Sequence, residues 1–363
     1  MPYRKHEMPT YPCIADLWDR LAAEKRPIVV YGMGNGADKL FERLEKYGVT
    51  PSDIFASDGF VRGHSYRGMR VLSFSEIKEK YHDFVILLSF ASRREEVLEL
   101  LSSIDGEHEM YIPDMPVAGE EYFDREFYNE HYRELCAARD SLADEESRDA
   151  FCAILNYKLT GRMRYLEDAY SEKSELYDLI GKDTERYLDV GAYNGDTLRE
   201  AIEHFPRLRA AVAVEPDPRT FRRLEKYVAT IGDIDVRTVN AAAWECDGEG
   251  SFISSSNRNS SVNSTSSYQH RDTDVVLVAP DSLGFEADFI KYDVEGAEAE
   301  ALRGSHRMIE EGHPTLLVSL YHRSRDIFAL TNYLKEKYPF YRIYLRRTRC
   351  VPAWEIALVL KTT

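Results

Sequence analysis

Short apolar runs alternate with amphipathic stretches in two separate parts of the chain, and this alternation restricts the fold more than any other feature. In the first part, PIVVYG (27–32), DIFASD (53–58) and HDFVILLSF (82–90) read as buried strands. GADKLFERLEKYG (36–48) and SRREEVLELLSSI (92–104) lie between and after them as helices. In the second part the strands are RYLDV (186–190), AAVAVE (210–215), DVRTVN (235–240), DFIKYDV (288–294), PTLLVSL (314–320), YRIYLR (341–346) and EIALVLK (355–361). Strands separated by helices imply parallel sheets with helical crossovers. The last two strands are joined by too few residues for a crossover helix, so they are expected to form an antiparallel hairpin at the sheet edge.

Three segments follow from this pattern: an N-terminal Rossmann-like α/β module over 1–117, a helical connector over 118–182, and a larger α/β domain over 183–363. The module is only about half the size of a complete dinucleotide-binding domain. It opens with CIADLWDRLAAEKR, where Ile14, Leu17, Trp18 and Leu21 fall on one helical face. The connector is rich in acids and aromatics, and SLADEESRDAF marks a helix start with Ser141 or Asp144 as its cap. The serine- and asparagine-rich stretch 254–273 reads as a loop between the short strands GSFISS and DVVLVA, or else as a disordered insert.

The second part carries the chemistry. In DVGAYNGDT, Gly191 and Gly195 bracket a turn from strand to helix. Glycine allows close backbone approach there, and the helix start offers free N–H groups. Glu215 ends the next strand, 24 residues after Gly191, where an acid can accept hydrogen bonds from both hydroxyls of a ribose. NAD-binding sheets share these two features. Three others distinguish the chain: Asp189 two residues before the first glycine, the G-x-x-x-G spacing, and seven strands with an antiparallel end. They match an S-adenosylmethionine-dependent class I methyltransferase sheet better than a six-stranded parallel one.

LDVGAYNGDT, AVEPDP, DFIKYDVEGAEAEALRG and LYHR resemble the signature blocks of the FkbM methyltransferases, over roughly residues 140–360. GEEYFDREFY and DEESRDAF…KLTG resemble the helical lead-in of longer members. The resemblance implies O-methylation of a hydroxyl on a sugar, a nucleotide-linked sugar or a secondary metabolite, with S-adenosylmethionine as cofactor. It further implies that Asp189, Gly191, Ala192, Tyr193, Gly195 and Asp196 surround the methionine and ribose part of that cofactor. Glu215 would take the ribose diol, Pro216 and Asp217 would flank the adenine, and Ala242 within NAAAW would border its edge. Tyr292 stands where members often carry a hydrophobic residue.

Methyl transfer to an alcohol needs a base or a metal, because the hydroxyl is a weak nucleophile until its proton leaves. KYDVEGAE brings Lys291, Asp293, Glu295 and Glu298 to the ligand-binding end of a strand, and SLYHR brings His322 to the same rim. Asp293, Glu295 and His322 form the expected catalytic cluster. No residues are assigned as metal ligands, and the need for a divalent ion stays open. The bland alternative has Glu295 capping the next helix and His322 bonded to backbone.

Other features have competing readings. GMGNGA (32–37) with Asp58 satisfies a dinucleotide fingerprint, yet it also fits a tight turn kept for packing or dimerisation. Arg342, Arg346, Arg347 and Arg349 either bind a substrate anion or protect a solvated sheet edge. Trp354, Glu355 and Tyr177 read mainly as packing or edge residues. The rival functions are an NAD-dependent sugar-modifying oxidoreductase, for which no suitable Tyr-x-x-x-Lys pair or Cys follows the fingerprint, and a non-catalytic nucleotide-binding scaffold.

Net charge of −16 argues against nucleic acid as the main ligand, because that binding rests on phosphate neutralisation. Cys13, Cys136, Cys152, Cys246 and Cys350 are scattered, which suits a reducing compartment without disulfide or zinc frameworks. No apolar run is long enough to span a bilayer and no signal-peptide pattern opens the chain. A cytoplasmic enzyme acting on a small-molecule acceptor is expected, with no membrane partner and a possible homodimer.

Overall fold

In the computed structural model, residues 7–9, 16–61, 63, 65–254, 261–262 and 271–362 are described. Ile14, expected on the first helix, Cys13 and most of the serine-rich stretch lie outside them. Six strands build the first sheet: β1 (Ile28–Tyr31), β2 (Asp53–Ala56), β3 (Ser65–Tyr66), β4 (Met69–Ser73), β5 (Val85–Leu88) and β6 (Glu109–Tyr111), in the order β3-β4-β2-β1-β5-β6. All neighbours are parallel except the short β3–β4 hairpin. The helix Leu17–Ala23 buries Leu17, Trp18 and Leu21, as its periodicity requires. Its cap is Asp16, which accepts the Trp18 N–H at 2.8 Å.

The second part opens with β7 (Arg186–Val190), β8 (Ala210–Val214) and β9 (Asp235–Val239). A small sheet of β10 (Ala242–Ala243), β11 (Gly248–Ser254), β12 (Ser261–Val262) and β13 (Arg271–Val278) follows. The chain then returns through β14 (Phe289–Tyr292), β15 (Thr315–Ser319), β16 (Arg342–Arg347) and β17 (Ile356–Lys361). The main sheet has seven strands in the order β16-β17-β15-β14-β7-β8-β9. Six strands run in the same direction, whereas β17, lying between β15 and β16, runs antiparallel to both. The fold is therefore α/β, with a seven-stranded, mostly parallel sheet ending in an antiparallel hairpin and a second, smaller Rossmann-like sheet.

Between the sheets the chain is helical. The helix Glu145–Thr160 starts at Asp144, whose carboxylate accepts the Ser147 N–H at 2.8 Å. Ser141 instead donates to the Ala138 carbonyl within the preceding helix. This central helix is buried along nearly its whole length, and one apolar cluster runs from Val29 and Phe55 through Phe151 and Leu155 to Leu188 and Leu358. The helical layer thus shares one apolar core with both sheets.

Two of the arginines of YRIYLRR fasten this helical layer, a role that neither sequence reading anticipated. Arg346 pairs with Asp144 at 2.8 Å and Glu146 at 2.9 Å, and Arg347 donates to the Leu166 and Cys350 carbonyls. Both are buried, away from solvent and from the cleft described below. The described helices include none long and apolar enough to cross a membrane. Cys136, Cys152, Cys246 and Cys350 are free thiols.

Candidate active site

A cleft of about 290 Å³ lies at the C-terminal ends of β7, β8 and β14, the usual ligand side of an open parallel sheet. Its floor is set by the turn after β7. Gly191 has φ +90°, and a Cβ there would stand 1.9 Å from the Asp293 carbonyl oxygen. Only glycine permits that approach between the β7 and β14 turns. Tyr193 takes φ +47°, a strained value for a bulky residue. Its amide then points at Glu215 and donates to Oε2 at 2.9 Å.

Glu215 is itself fixed by register. β8 carries it to the cleft rim, where its other oxygen accepts the Asp217 N–H at 2.9 Å. Each oxygen keeps acceptor capacity beyond its single amide. Burial pushes the Glu215 carboxyl up to about 8, against the two amide bonds that favour its ionised form. Two hydroxyl donors brought to this carboxylate would restore the charged state.

The other residues expected around the cofactor fall into two sets. Gly191, Tyr193, Asp196, Glu215, Pro216, Asp217 and Ala242 line the cleft. Asp217 also caps the helix Pro218–Val228 through the Arg219 and Thr220 amides. Asp189, Ala192 and Gly195 do not line it: Ala192 packs with Ala213 and Leu224, and a Cβ on Gly195 would face Tyr227 at 2.5 Å.

Asp189 lies one layer deeper, fully buried. Parallel pairing of β7 with β14 sets Lys291 opposite Asp189. The Lys291 ammonium donates to Asp189 Oδ1 at 3.2 Å and to the Gly191 carbonyl at 2.9 Å. Thr197, in the first turn of the next helix, donates to Asp189 Oδ2 at 2.6 Å. Burial alone would drive the lysine toward its neutral form, but Asp189 and Asp293 outweigh it and raise its pKa. The pair ties the glycine turn to the neighbouring strand from beneath.

The expected cluster of Asp293, Glu295 and His322 is brought together, by a route different from simple strand alternation. β14 ends at Tyr292, and Glu295 adopts a left-handed φ of +54°, followed by Gly296 at +99°. This turn folds Glu295 back beside Asp293. His322 Nε2 stands 3.3 Å from Asp293 Oδ1 and 3.5 Å from Glu295 Oε2. Asp293 and Glu295 line the cleft, whereas His322 is fully buried behind them.

Glu298 completes the group from the far side. Its Oε1 lies 2.9 Å from His322 Nδ1 and accepts the Val294 N–H at 2.9 Å. The following helix, Glu298–Arg303, has no side-chain cap hydrogen bond at its Ala297 N-cap, and Glu298 accepts amides of the turn before it. Burial would lower the imidazole pKa, but Glu298, Glu295 and Asp293 together outweigh it and hold it up to about 10. Asp293 shows the reverse balance: Lys291, His322 and the Tyr321 hydroxyl overcome burial and keep it below its ordinary value. Glu295 has less compensation, and burial pushes it up to about 8. Asp293, Glu298 and His322 also meet the geometric minimum for a metal site.

Sequence reasoning missed Thr197 as the seal on Asp189, and Tyr321, which donates to Asp293 at 3.0 Å. Tyr321 stood in the quoted SLYHR, where an aromatic beside His322 was the available signal. Trp354, Glu355 and Tyr177 line the cleft. Tyr292 is buried beneath the sheet and faces away from the cleft. In the first sheet, a Cβ on Gly36 of the GMGNGA turn would lie 2.2 Å from the Ser89 carbonyl oxygen, whereas one on Gly34 would meet nothing within 4 Å.

Comparison with known proteins agrees with this architecture. Residues 189–346 match the methyltransferase FkbM domain family. A methyltransferase FkbM from Methylobacillus flagellatus KT shares the fold, with 23% identity, a TM-score of 0.67, and coverage of 92% of this chain and 90% of that one. An rRNA methylase from Streptococcus thermophilus overlaps 52% of this chain and 94% of its own at 9% identity and a TM-score of 0.35. No functionally curated protein matches.

Proposed function

We propose, from the match of residues 189–346 to the methyltransferase FkbM domain family, that the chain transfers a methyl group from S-adenosylmethionine to a hydroxyl of a small acceptor, a sugar, nucleotide-linked sugar or secondary metabolite. The observation that carries the cofactor assignment is the carboxylate of Glu215, held by the Tyr193 and Asp217 amides at the mouth of the Gly191 turn. A buried acceptor pair at the end of the second strand suits a ribose diol. Bound there, the cofactor supplies an electrophilic methyl group on a sulfonium.

The protein's own residues supply orientation and a proton acceptor. Glu295 projects into the cleft with its pKa near 8, closest of the three to the value a base needs at neutral pH. We assign it the acceptor hydroxyl's proton. Asp293, ionised and hydrogen-bonded by Tyr321, orients that hydroxyl by accepting from it or from a neighbouring group. His322, clamped by Glu298, is a positioning residue that holds both carboxylates at one rim. A charged imidazole there also favours the ionised form of Glu295 once the proton has moved on. With the imidazole protonated, Nε2 and Nδ1 are both donors.

The test is transfer of labelled methyl to a panel of hydroxylated acceptors by the intact chain, analysed by mass spectrometry. Methylated hydroxyl products lost in Glu295→Gln support the reading. Transfer to nitrogen or carbon only would overturn the O-methyl assignment.

A further inference from the structure

The N-terminal module reaches the cleft through Arg93 and Val117. The loop after β5 carries Arg93 to the cleft wall, where its guanidinium pairs with Glu355. This placement is fixed on several sides. Ser92 and Val351 exchange backbone hydrogen bonds at 2.8 and 3.0 Å, and Arg349 pairs with Glu95. Lys39 of the same module donates to the Pro116 carbonyl at 2.8 Å, and two residues later the Ala118 N–H donates to the His322 carbonyl at 2.8 Å. Val117, held between those two bonds, also lines the cleft.

Beside this pair stand two aromatic rings that also line the cleft. Tyr321 and Trp354 lie with centroids 6.4 Å apart and planes 26° from parallel. Glu355, directly after Trp354, has a left-handed φ of +62°. Strain of this kind persists where surrounding structure requires a side chain to point one way. Here the turn sends the Glu355 carboxylate toward Arg93. Together these residues make a patch with flat apolar faces, one bound cation and one bound anion, on the Asp293 side of the cleft.

We propose that the acceptor site is composite, with Arg93 of the N-terminal module and Glu355 of the main sheet forming a paired reader of hydroxyl groups beside the Tyr321–Trp354 platform, and that it selects an uncharged hydroxylated ring. The proposal rests on the methyltransferase reading and specifies its acceptor subsite. Charge decides the class of ligand. Arg93 is already neutralised by Glu355, and the next groups inward are Asp293 and Glu295. An anionic acceptor would have to displace Glu355 and then approach an ionised carboxylate. A ring carrying several hydroxyls can donate to Glu355 and accept from Arg93 without breaking their pairing. Its apolar face can rest on the aromatic rings. On this reading the N-terminal module serves as one wall of the catalytic cleft.

The test uses the full chain saturated with S-adenosylhomocysteine and saturation-transfer NMR with three probe sets: uncharged methyl pyranosides, the matching uronic acids, and the matching amino sugars. Uncharged members are expected to receive saturation, and both charged sets much less. Arg93→Ala and Trp354→Ala are each expected to weaken binding of the best pyranoside by about tenfold, the loss expected for a hydrogen bond to a charged group or for a buried aromatic contact. Arg93→Lys should recover only part of it, because an ammonium lacks the planar fork. S-adenosylhomocysteine affinity should stay as in the unmodified protein. Preferential binding of either charged set, no pyranoside binding at all, or an Arg93→Ala chain that binds pyranosides unchanged would overturn the proposal. Failure of S-adenosylhomocysteine itself to bind would instead contradict the methyltransferase reading.

Discussion

Glu298 and His322 are both shut off from solvent, and Glu298 Oε1 sits 2.9 Å from His322 Nδ1 while also accepting the Val294 amide. One carboxylate therefore fixes the imidazole and the turn that presents Glu295. Cluster geometry and turn geometry cannot vary independently.

The imidazole should remain protonated well above neutral pH, since its pKa is held up to about 10. Nitrogen-15 NMR of labelled histidine is expected to show an imidazolium for His322 at about pH 8, with both ring nitrogens protonated. Glu298→Gln should lower that titration by at least about one unit, because the nearest of three carboxylates is neutralised. A neutral ring at pH 8 in the unmodified protein would remove the positioning role given to His322.

Stability should fall as pH rises. Glu215 and Glu295 are raised from 4.5 to about 8, so the folded state favours their protonated forms. Their contribution is complete below 4.5 and is lost as pH rises through about 8. His322 acts in the same direction, with its contribution lost between 6.5 and about 10. The melting temperature of the cofactor-free chain is expected to be higher at about pH 6 than at about pH 9, and Glu295→Gln should flatten part of that slope. A melting temperature that climbs over this interval would contradict the burial of these groups.

Activity should move the opposite way. At saturating cofactor, kcat/KM for the acceptor should rise with pH to a plateau, with a limb at or below about 8 as Glu295 ionises. Glu295→Gln should remove the limb along with most of the rate, by at least about a hundredfold. An unchanged limb in that variant would transfer the base role to another group.

Lys291→Met leaves Asp189 buried beside Thr197 without its cation. Removing one partner of a buried ion pair costs about 3–5 kcal/mol. Denaturant unfolding should register a loss of that size. A loss below about 1 kcal/mol would mean that the pair does not tie β7 to β14.

Gly191→Ala should be severely destabilising, or should abolish cofactor binding, because the new methyl meets the Asp293 carbonyl at 1.9 Å. Gly284→Ala is the matched control: its φ is +60°, but no atom lies within 4 Å of the added Cβ. It should cost only about 1 kcal/mol of backbone strain. Equal effects at the two sites would show that the close approach at Gly191 is unimportant.

The seven main strands could be read from the sequence because each is a short apolar run bounded by polar or glycine-containing turns. The antiparallel end followed from the short link between β16 and β17. The convergence of Asp293, Glu295 and His322 was legible as two motifs at neighbouring strand ends. Its geometry was not, since alternation says nothing of the left-handed turn at Glu295 and Gly296. The burial of Arg346 and Arg347 was hidden for a related reason. A basic strand reads as an edge exposed to water, and only the packing of the central helix shows that Asp144, Glu146 and the Leu166 carbonyl receive it. Arg93 lies some 200 residues from Asp293 in the sequence, so no local pattern joins them.

Titration calorimetry of S-adenosylhomocysteine into the intact chain and into Glu215→Ala tests the central claim most directly. The expected result is saturable binding that weakens at least about tenfold in the variant, as loss of hydrogen bonds to a charged acceptor requires. Binding that is absent from the unmodified protein, or equal in the two, would contradict it.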